Sequence, residues 1–266
     1  MRFVTVAGIR VPVRRHDCVP APQELRSTRV EILETELDMG FREHGADCWL
    51  DLGEFGCYRL DDAGIGIARE AVSEAYATEA LMGPVLLHAL ARHGVYVLHA
   101  SASTSPQGRL YAFIATSGVG KSTIARHSEA HGWSRVADDL LPVRLAAGAI
   151  EARPHLPQPK LDAACQYPPG ASVSPELAGI VQLSRGPALS LRKLDAGELM
   201  RLVIESTVAS RTFTSAMLAR HLAFARGVAE CLSSGRLRGF ALQLADRPGD
   251  VDAAVFEALR QLEAQS

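Results

Sequence analysis

Short alternating and apolar runs in the first seventy residues predict a small β-rich lobe. They are separated by Gly, Asp and Pro, which favour turns. The predicted strands are residues 3–6, 30–33, 48–52, 56–60 and 64–68. We therefore expect a first domain over residues 1–70 and a second over residues 71–266.

The pattern then changes to helical spacing over residues 73–92, with Gly83-Pro84 predicting a kink or two consecutive helices. Two apolar runs follow, at residues 95–102 and 110–115, joined by a Ser-Pro-Gln-Gly turn. They predict an antiparallel hairpin.

Strands and helices alternate through the rest of the chain, which predicts an α/β fold. The predicted strands are residues 134–137, 141–143, 179–183, 188–193 and 240–244. The predicted helices are residues 124–131, 196–206, 213–234 and a last one from Asp250 to about Leu262. Residues 154–169 carry five prolines and predict a long irregular connection.

The second strand of the predicted hairpin leads into Ala-Thr-Ser-Gly-Val-Gly-Lys-Ser-Thr at residues 115–123. Strand, glycine-rich loop and helix in this order are typical of a phosphate-binding loop, although Ala115 stands where the first glycine is usual. An alanine fits there if its φ is negative. Lys121 is expected to reach the phosphates and Ser122 to ligate Mg²⁺. The predicted ATP-binding residues are Ser117, Gly118, Val119, Gly120, Lys121, Ser122 and Thr123.

The amino-acid composition limits the classes of binding partner that we expect. The formal charge of −2, from 28 basic and 30 acidic residues, gives no reason to expect nucleic acid or an anionic membrane. The apolar start is too short for a signal-peptide core, and no run is long enough to span a bilayer, so we expect a cytoplasmic protein. The five scattered cysteines contain no Cys-x-x-Cys pair and indicate neither a disulfide framework nor a zinc site.

Two features near the loop suggest phosphoryl transfer. The strand Val136-Ala137 ends in Asp138-Asp139, 17 and 18 residues after Lys121, which would bring two carboxylates back beside the triphosphate. One can hold Mg²⁺, usually through water, and the other can accept a proton from a hydroxyl. His99, on the strand paired with the one before the loop, can donate to phosphate oxygens or tune the base.

Taken together, residues 94–101, 117–122 and 132–139 resemble the catalytic domain of the HPr kinase/phosphorylase family. The resemblance covers about residues 80–145 and implies an ATP-dependent protein serine kinase on a phosphate-loop fold related to phosphoenolpyruvate carboxykinase. By position it implies Lys121 on the phosphates, Ser122 on Mg²⁺, and Asp139 as the proton acceptor. It also places His99 in the active site and Asp138 in support of metal or water.

The family's second metal ligand, a glutamate, is not matched: Gln158 and Asp162 occupy that region. Shortened relatives include kinases of ribosomally made, lasso-type precursor peptides, and family members often form homo-oligomers. The resemblance therefore implies a peptide or small-protein acceptor with a Ser or Thr hydroxyl. A small-molecule alcohol kinase and a nucleotide-dependent ATPase or switch remain alternatives.

Overall fold

A computed structural model describes residues 2–16, 26–32, 35–44, 47–116, 118–154, 156, 174–245 and 251–264. The chain divides into two compact units, Met1–Gly94 with Ala209–His221, and Val95–Val208 with Leu222–Ser266. The first unit extends past the boundary predicted after residue 70 because the helices that follow bury their apolar faces against its sheet.

Seven described strands form the sheet of the first unit, in the order β1-β2-β7-β6-β5-β4-β3. They are β1 Arg2–Val6, β2 Ile9–Arg15, β3 Arg26–Ile32, β4 Thr35–His44, β5 Asp47–Asp51, β6 Cys57–Asp61 and β7 Gly64–Arg69. The sequence pattern missed β2 and β4. Pro12 interrupts β2 and Gly40 lies within β4, and both residue types argue against a strand when read locally.

Helix α1 (Glu74–Ala80), a π-helical segment (Leu81–Val85) and α2 (Leu86–Arg92) follow this sheet. The predicted kink is confirmed, since Gly83 has non-helical angles of φ −101° and ψ −118°. Ala80, Val85 and Ala89 join the buried apolar face of the sheet, which forms the core of this unit.

The sheet of the second unit runs β12-β11-β8-β9-β13-β15-β14 among the described residues, and β10 also pairs with β8. Its strands are β8 Tyr96–Thr104, β9 Leu110–Ile114, β10 Ser134–Ala137, β11 Leu140–Ala146, β12 Ala149–Ala152, β13 Leu177–Gly186, β14 Ser190–Lys193 and β15 Arg238–Ala245. The central strands β9, β13 and β15 are parallel, whereas β8 pairs antiparallel with β9 and confirms the predicted hairpin.

The α-helices that follow β9 are α3 Lys121–Glu129, α4 Ala196–Ser206, α5 Ser215–Ser233 and α6 Val251–Ala264. Asp195 and Glu198 form a capping box that starts α4 at the predicted residue. One face of the sheet packs on α3 and α6 through a core that includes Phe113, Ile124 and Leu259. Within the described part of the chain, every helix is too short or too polar to cross a membrane.

This arrangement confirms the α/β class. Because β9 and β13 run in the same direction, their carboxyl ends meet at one edge of the sheet, the edge at which open α/β sheets usually bind ligands.

Candidate active site

The glycine-rich loop connects β9, which is buried along its whole length, to α3, which begins at Lys121. Gly118 and Gly120 have φ values of 82° and 119°, a region that glycine occupies without strain. The φ of Ala115 is not positive, which meets the condition set for an alanine at that position. The loop thus delivers the amino end of α3, with its positive partial charge, to the edge of the sheet.

Lys121 lies beneath this loop rather than pointing into solvent. Its side chain is buried, and Nζ donates a hydrogen bond of 2.9 Å to the carbonyl of Ala115. The lysine therefore spans the loop from its last residue to its first and holds a positive charge against the loop backbone.

The two predicted carboxylates lie where the strand that pairs with β8 changes from β10 to β11. Ala137 of β10 pairs with Ala102, and Leu140 of β11 pairs with His99, so Asp138-Asp139 interrupts the pairing between them. Asp139 has a φ of 105°, which is uncommon and costly for a residue with a side chain.

Asp138 is the buried member of the pair, with 3% of its surface exposed. Its Oδ1 accepts a hydrogen bond of 3.0 Å from Ser101 Oγ, and its Oδ2 lies 3.8 Å from Arg135 Nη1. A hydroxyl and a guanidinium thus stabilise this carboxylate inside the sheet edge.

Asp139 is the accessible member. Its Oδ1 lies 3.0 Å from His99 Nε2, and each side chain is 45% exposed. His99 and Ser101 are two residues apart on β8 and therefore point to the same side of the strand. Ser101 thus contacts the Asp138 carboxylate, and His99 contacts the Asp139 carboxylate.

A cleft of about 480 Å³ opens at the edge where β9 and β13 end. His99 lines it, as do Ala115, Thr116 and Val119 of the loop. The remaining lining residues come from the ends of β9 and β13 and from α4: Ile114, Gln182, Leu183, Ser184, Arg185, Leu202, Glu205 and Ser206. The loop and His99 therefore share one cleft, and Asp139 lies 3.0 Å from His99 Nε2.

Arg185 and Glu205 line this cleft and were not singled out from the sequence. Arg185 follows the last β13 residue that pairs with β9, so β13 carries it past the end of β9 and alongside the loop. The sequence shows that Arg185 follows a predicted strand, but it does not show which strand lies next to β9. Ser101 and Arg135 were missed similarly, although alternation on β8 places Ser101 beside His99.

Several predicted residues lie beyond what the structure describes. Ser117 lies outside the described residues, as do Gln158 and Asp162, and nothing is described of the Ser122 side chain. Gly118, Val119, Gly120 and Thr123 occupy the loop and the first turn of α3 as expected from their order.

The donor types at this site fit Mg²⁺, which prefers carboxylate and hydroxyl oxygens and completes its shell with substrate phosphates. In the part of the chain that is described, three or more His, Cys, Asp or Glu side chains nowhere cluster as a protein-only metal cage. Since both oxygens of Asp138 already face Ser101 or Arg135, Asp138 fits a water-mediated ligand better than a direct one.

No family model matches the chain, and no curated protein matches its sequence. Among solved structures, the chain is similar to the HPr(Ser) kinase/phosphatase from Coxiella burnetii, with a TM-score of 0.35 and 10% identity. That likeness covers 64% of this chain and 91% of the other. A TM-score this low does not bear on function, so the resemblance to HPr kinases stays a prediction.

Proposed function

We propose that the chain is an ATP-dependent kinase that transfers the terminal phosphoryl group to a serine or threonine hydroxyl of a peptide or small protein. The supporting observation is that His99 and the loop before Lys121 line the same cleft, and that the Asp139 carboxylate lies 3.0 Å from His99 Nε2. A nucleotide switch needs the loop but has no need of a half-exposed carboxylate held by a histidine beside it.

The loop and Lys121 bind the donor in this proposal. Backbone N–H groups of the loop and the first turn of α3 donate to phosphate oxygens, and Lys121 Nζ exchanges the carbonyl of Ala115 for a phosphate oxygen. Ser122 and, through water, Asp138 would hold Mg²⁺, which when bound supplies neutralisation of phosphate charge.

Asp139 acts on the acceptor. The acceptor oxygen forms a bond to the terminal phosphorus while the bond from that phosphorus to the leaving ADP oxygen breaks. The hydroxyl proton passes to the Asp139 carboxylate, and His99 Nε2, 3.0 Å away, orients that carboxylate. A positioned base of this kind raises a rate by about 10²- to 10⁴-fold.

Mass spectrometry of a serine-containing peptide library, incubated with the protein and MgATP, tests the proposal. We expect a mass increase of one phosphate on some peptides, and none on the same peptides with each Ser and Thr replaced by Ala. Asp139→Asn should abolish the transfer and keep nucleotide binding, whereas Lys121→Ala should lose both. Asp62→Asn is the control, because this carboxylate belongs to the first unit, is 94% exposed and contacts Arg92 of the same unit.

Other outcomes would support other functions. Release of ADP without a modified acceptor would support the ATPase or switch, and phosphorylation of free serine or another small alcohol would support the small-molecule kinase. Wild-type transfer by Asp139→Asn would exclude Asp139 as the base.

A further inference from the structure

Arg185 connects the glycine-rich loop to the sheet. The last pair between β13 and β9 is Gln182 with Ile114, and β13 continues beyond it to Gly186. Arg185 therefore lies beside the loop. Its Nε donates a hydrogen bond of 2.9 Å to the Val119 carbonyl, and its Nη1 lies 3.4 Å from the Ala245 carbonyl at the end of β15.

The guanidinium also approaches the residue before Lys121. A Cβ atom added to Gly120 would lie only 3.2 Å from Arg185 Nη2. The absence of a side chain at Gly120 therefore leaves the space that Arg185 occupies against the loop. The arginine reaches the point where the loop turns into α3, which is where phosphate groups bind in such loops.

The partners of this guanidinium are weak for an arginine. Among the described residues, its two contacts are to neutral carbonyls, one of them long, and the side chain is exposed. An arginine fork forms its strongest hydrogen bonds with carboxylate and phosphate groups, because those acceptors are charged and match its planar geometry. A phosphate oxygen in the cleft would compete successfully with these carbonyls.

Charge balance points the same way. Bound MgATP keeps net negative charge, and Lys121 supplies one positive charge. Of the cleft-lining residues that the structure describes, Arg185 carries the permanent positive charge, while Glu205 adds a negative one. Negative charge develops further at the terminal phosphate during transfer, where an arginine is a common stabilising group.

We propose that Arg185 is a second cationic residue for the terminal phosphate: when ATP fills the loop, the guanidinium leaves the Val119 and Ala245 carbonyls and binds an oxygen of that phosphate. The inference rests on the proposed function, since it requires a triphosphate in the loop. It adds a catalytic residue that acts on the donor from β13, independently of Asp139.

Isothermal titration calorimetry with two nucleotides separates this role from simple support of the loop. The probes are ADP and the non-hydrolysable β,γ-imido analogue of ATP, both with Mg²⁺. ADP lacks the terminal phosphate. We expect Arg185→Gln to weaken binding of the imido analogue about tenfold or more, the loss typical of a charged hydrogen bond, and to leave ADP affinity unchanged.

Two further variants make the measurement specific. Arg192→Gln is the matched control, because Arg192 is an exposed arginine on the nearby β14 that pairs with both carboxylate oxygens of Glu198, and it should bind both nucleotides as the wild type does. Arg185→Lys keeps the charge but not the fork, so its loss should be intermediate. Circular dichroism of each variant shows that it is folded.

An equal loss of ADP and imido-analogue affinity in Arg185→Gln would overturn the inference and leave Arg185 as a support of the loop. Unchanged affinity for both would overturn it as well. If the wild type binds neither nucleotide, the proposed function itself fails. If the wild type binds both and only the Arg185 result is negative, the kinase proposal stands without this residue.

Discussion

Asp139 combines an unfavourable backbone with the proposed role of base, so replacing it with glycine should make the second unit more stable and inactive. Its φ of 105° is a conformation that glycine adopts freely and residues with a side chain rarely adopt. Such strain is common where function requires a side chain at a fixed place.

The magnitude follows from three contributions. A residue in a sparsely populated region of φ and ψ costs about 1–3 kcal/mol, which Asp139→Gly removes. The added freedom of glycine in the unfolded chain costs about 0.5–1 kcal/mol. Loss of the half-exposed pair with His99 costs about 0.2–1 kcal/mol. The net gain is therefore about 1 kcal/mol, or roughly 2–4 °C in Tm for a domain of this size.

Thermal unfolding followed by the fluorescence of Trp133, which is buried in the second unit, measures this effect. Asp139→Asn keeps the side-chain size and should lose transfer with little change in Tm. Ala147→Gly is the positive control: Ala147 has a φ of 50° in the turn between β11 and β12, away from the cleft. This control should raise Tm and leave activity unchanged.

A lower Tm for Asp139→Gly, alongside the expected rise for Ala147→Gly, would show that Asp139 stores no strain. Wild-type transfer by Asp139→Gly would refute its role as base.

Two further predictions concern buried polar contacts. Ser101→Ala leaves the Asp138 carboxylate without its hydroxyl donor and should lower the free energy of unfolding by about 1–3 kcal/mol, measured by urea unfolding; an unchanged midpoint would contradict the contact. Burial lowers the pKa of His88, so below about pH 6.5 the unfolded chain binds a proton that the folded chain does not. Below that pH the free energy of unfolding should fall as the pH is lowered, by up to about 1.4 kcal/mol per unit, with His88→Gln showing a shallower slope. Trp49 fluorescence in a Trp133→Phe background reports unfolding of the first unit, which contains His88. A stability profile that is flat between pH 7.5 and about 5.5 when His88 is present would refute this pH dependence.

Much of the second unit could be predicted because its signals are local. The apolar run before the loop, the glycines within it and the capping box of α4 each specify structure through neighbours in sequence. The predicted helix at residues 196–206 has the observed bounds. The helix after the loop begins at Lys121 rather than at residue 124. The sequence pattern missed its first turn because that turn is polar and carries no apolar periodicity.

The first unit was harder for the same reason. Its sheet depends on pairings between strands whose local patterns are weak, and the parallel pair of β2 with β7 joins segments far apart in sequence. Arg185 shows the same limit at the site, since its place beside the loop depends on β13 lying next to β9, a pairing across about seventy residues. Long-range pairing of this kind leaves no periodic trace in either strand.

Because His99 and Ser101 must both face the same side of β8, the number of residues in that strand is as important as their types. Deleting one residue between them and the hairpin turn would turn both side chains to the opposite face, so Asp138 would lose its contact with Ser101 and Asp139 its contact with His99 at once. A deletion of two residues would restore the face but shift the pair by one step along the cleft. Length changes in β8 should therefore be far less tolerated than substitutions, and a functional variant that carries one should carry a matching change between β10 and β11.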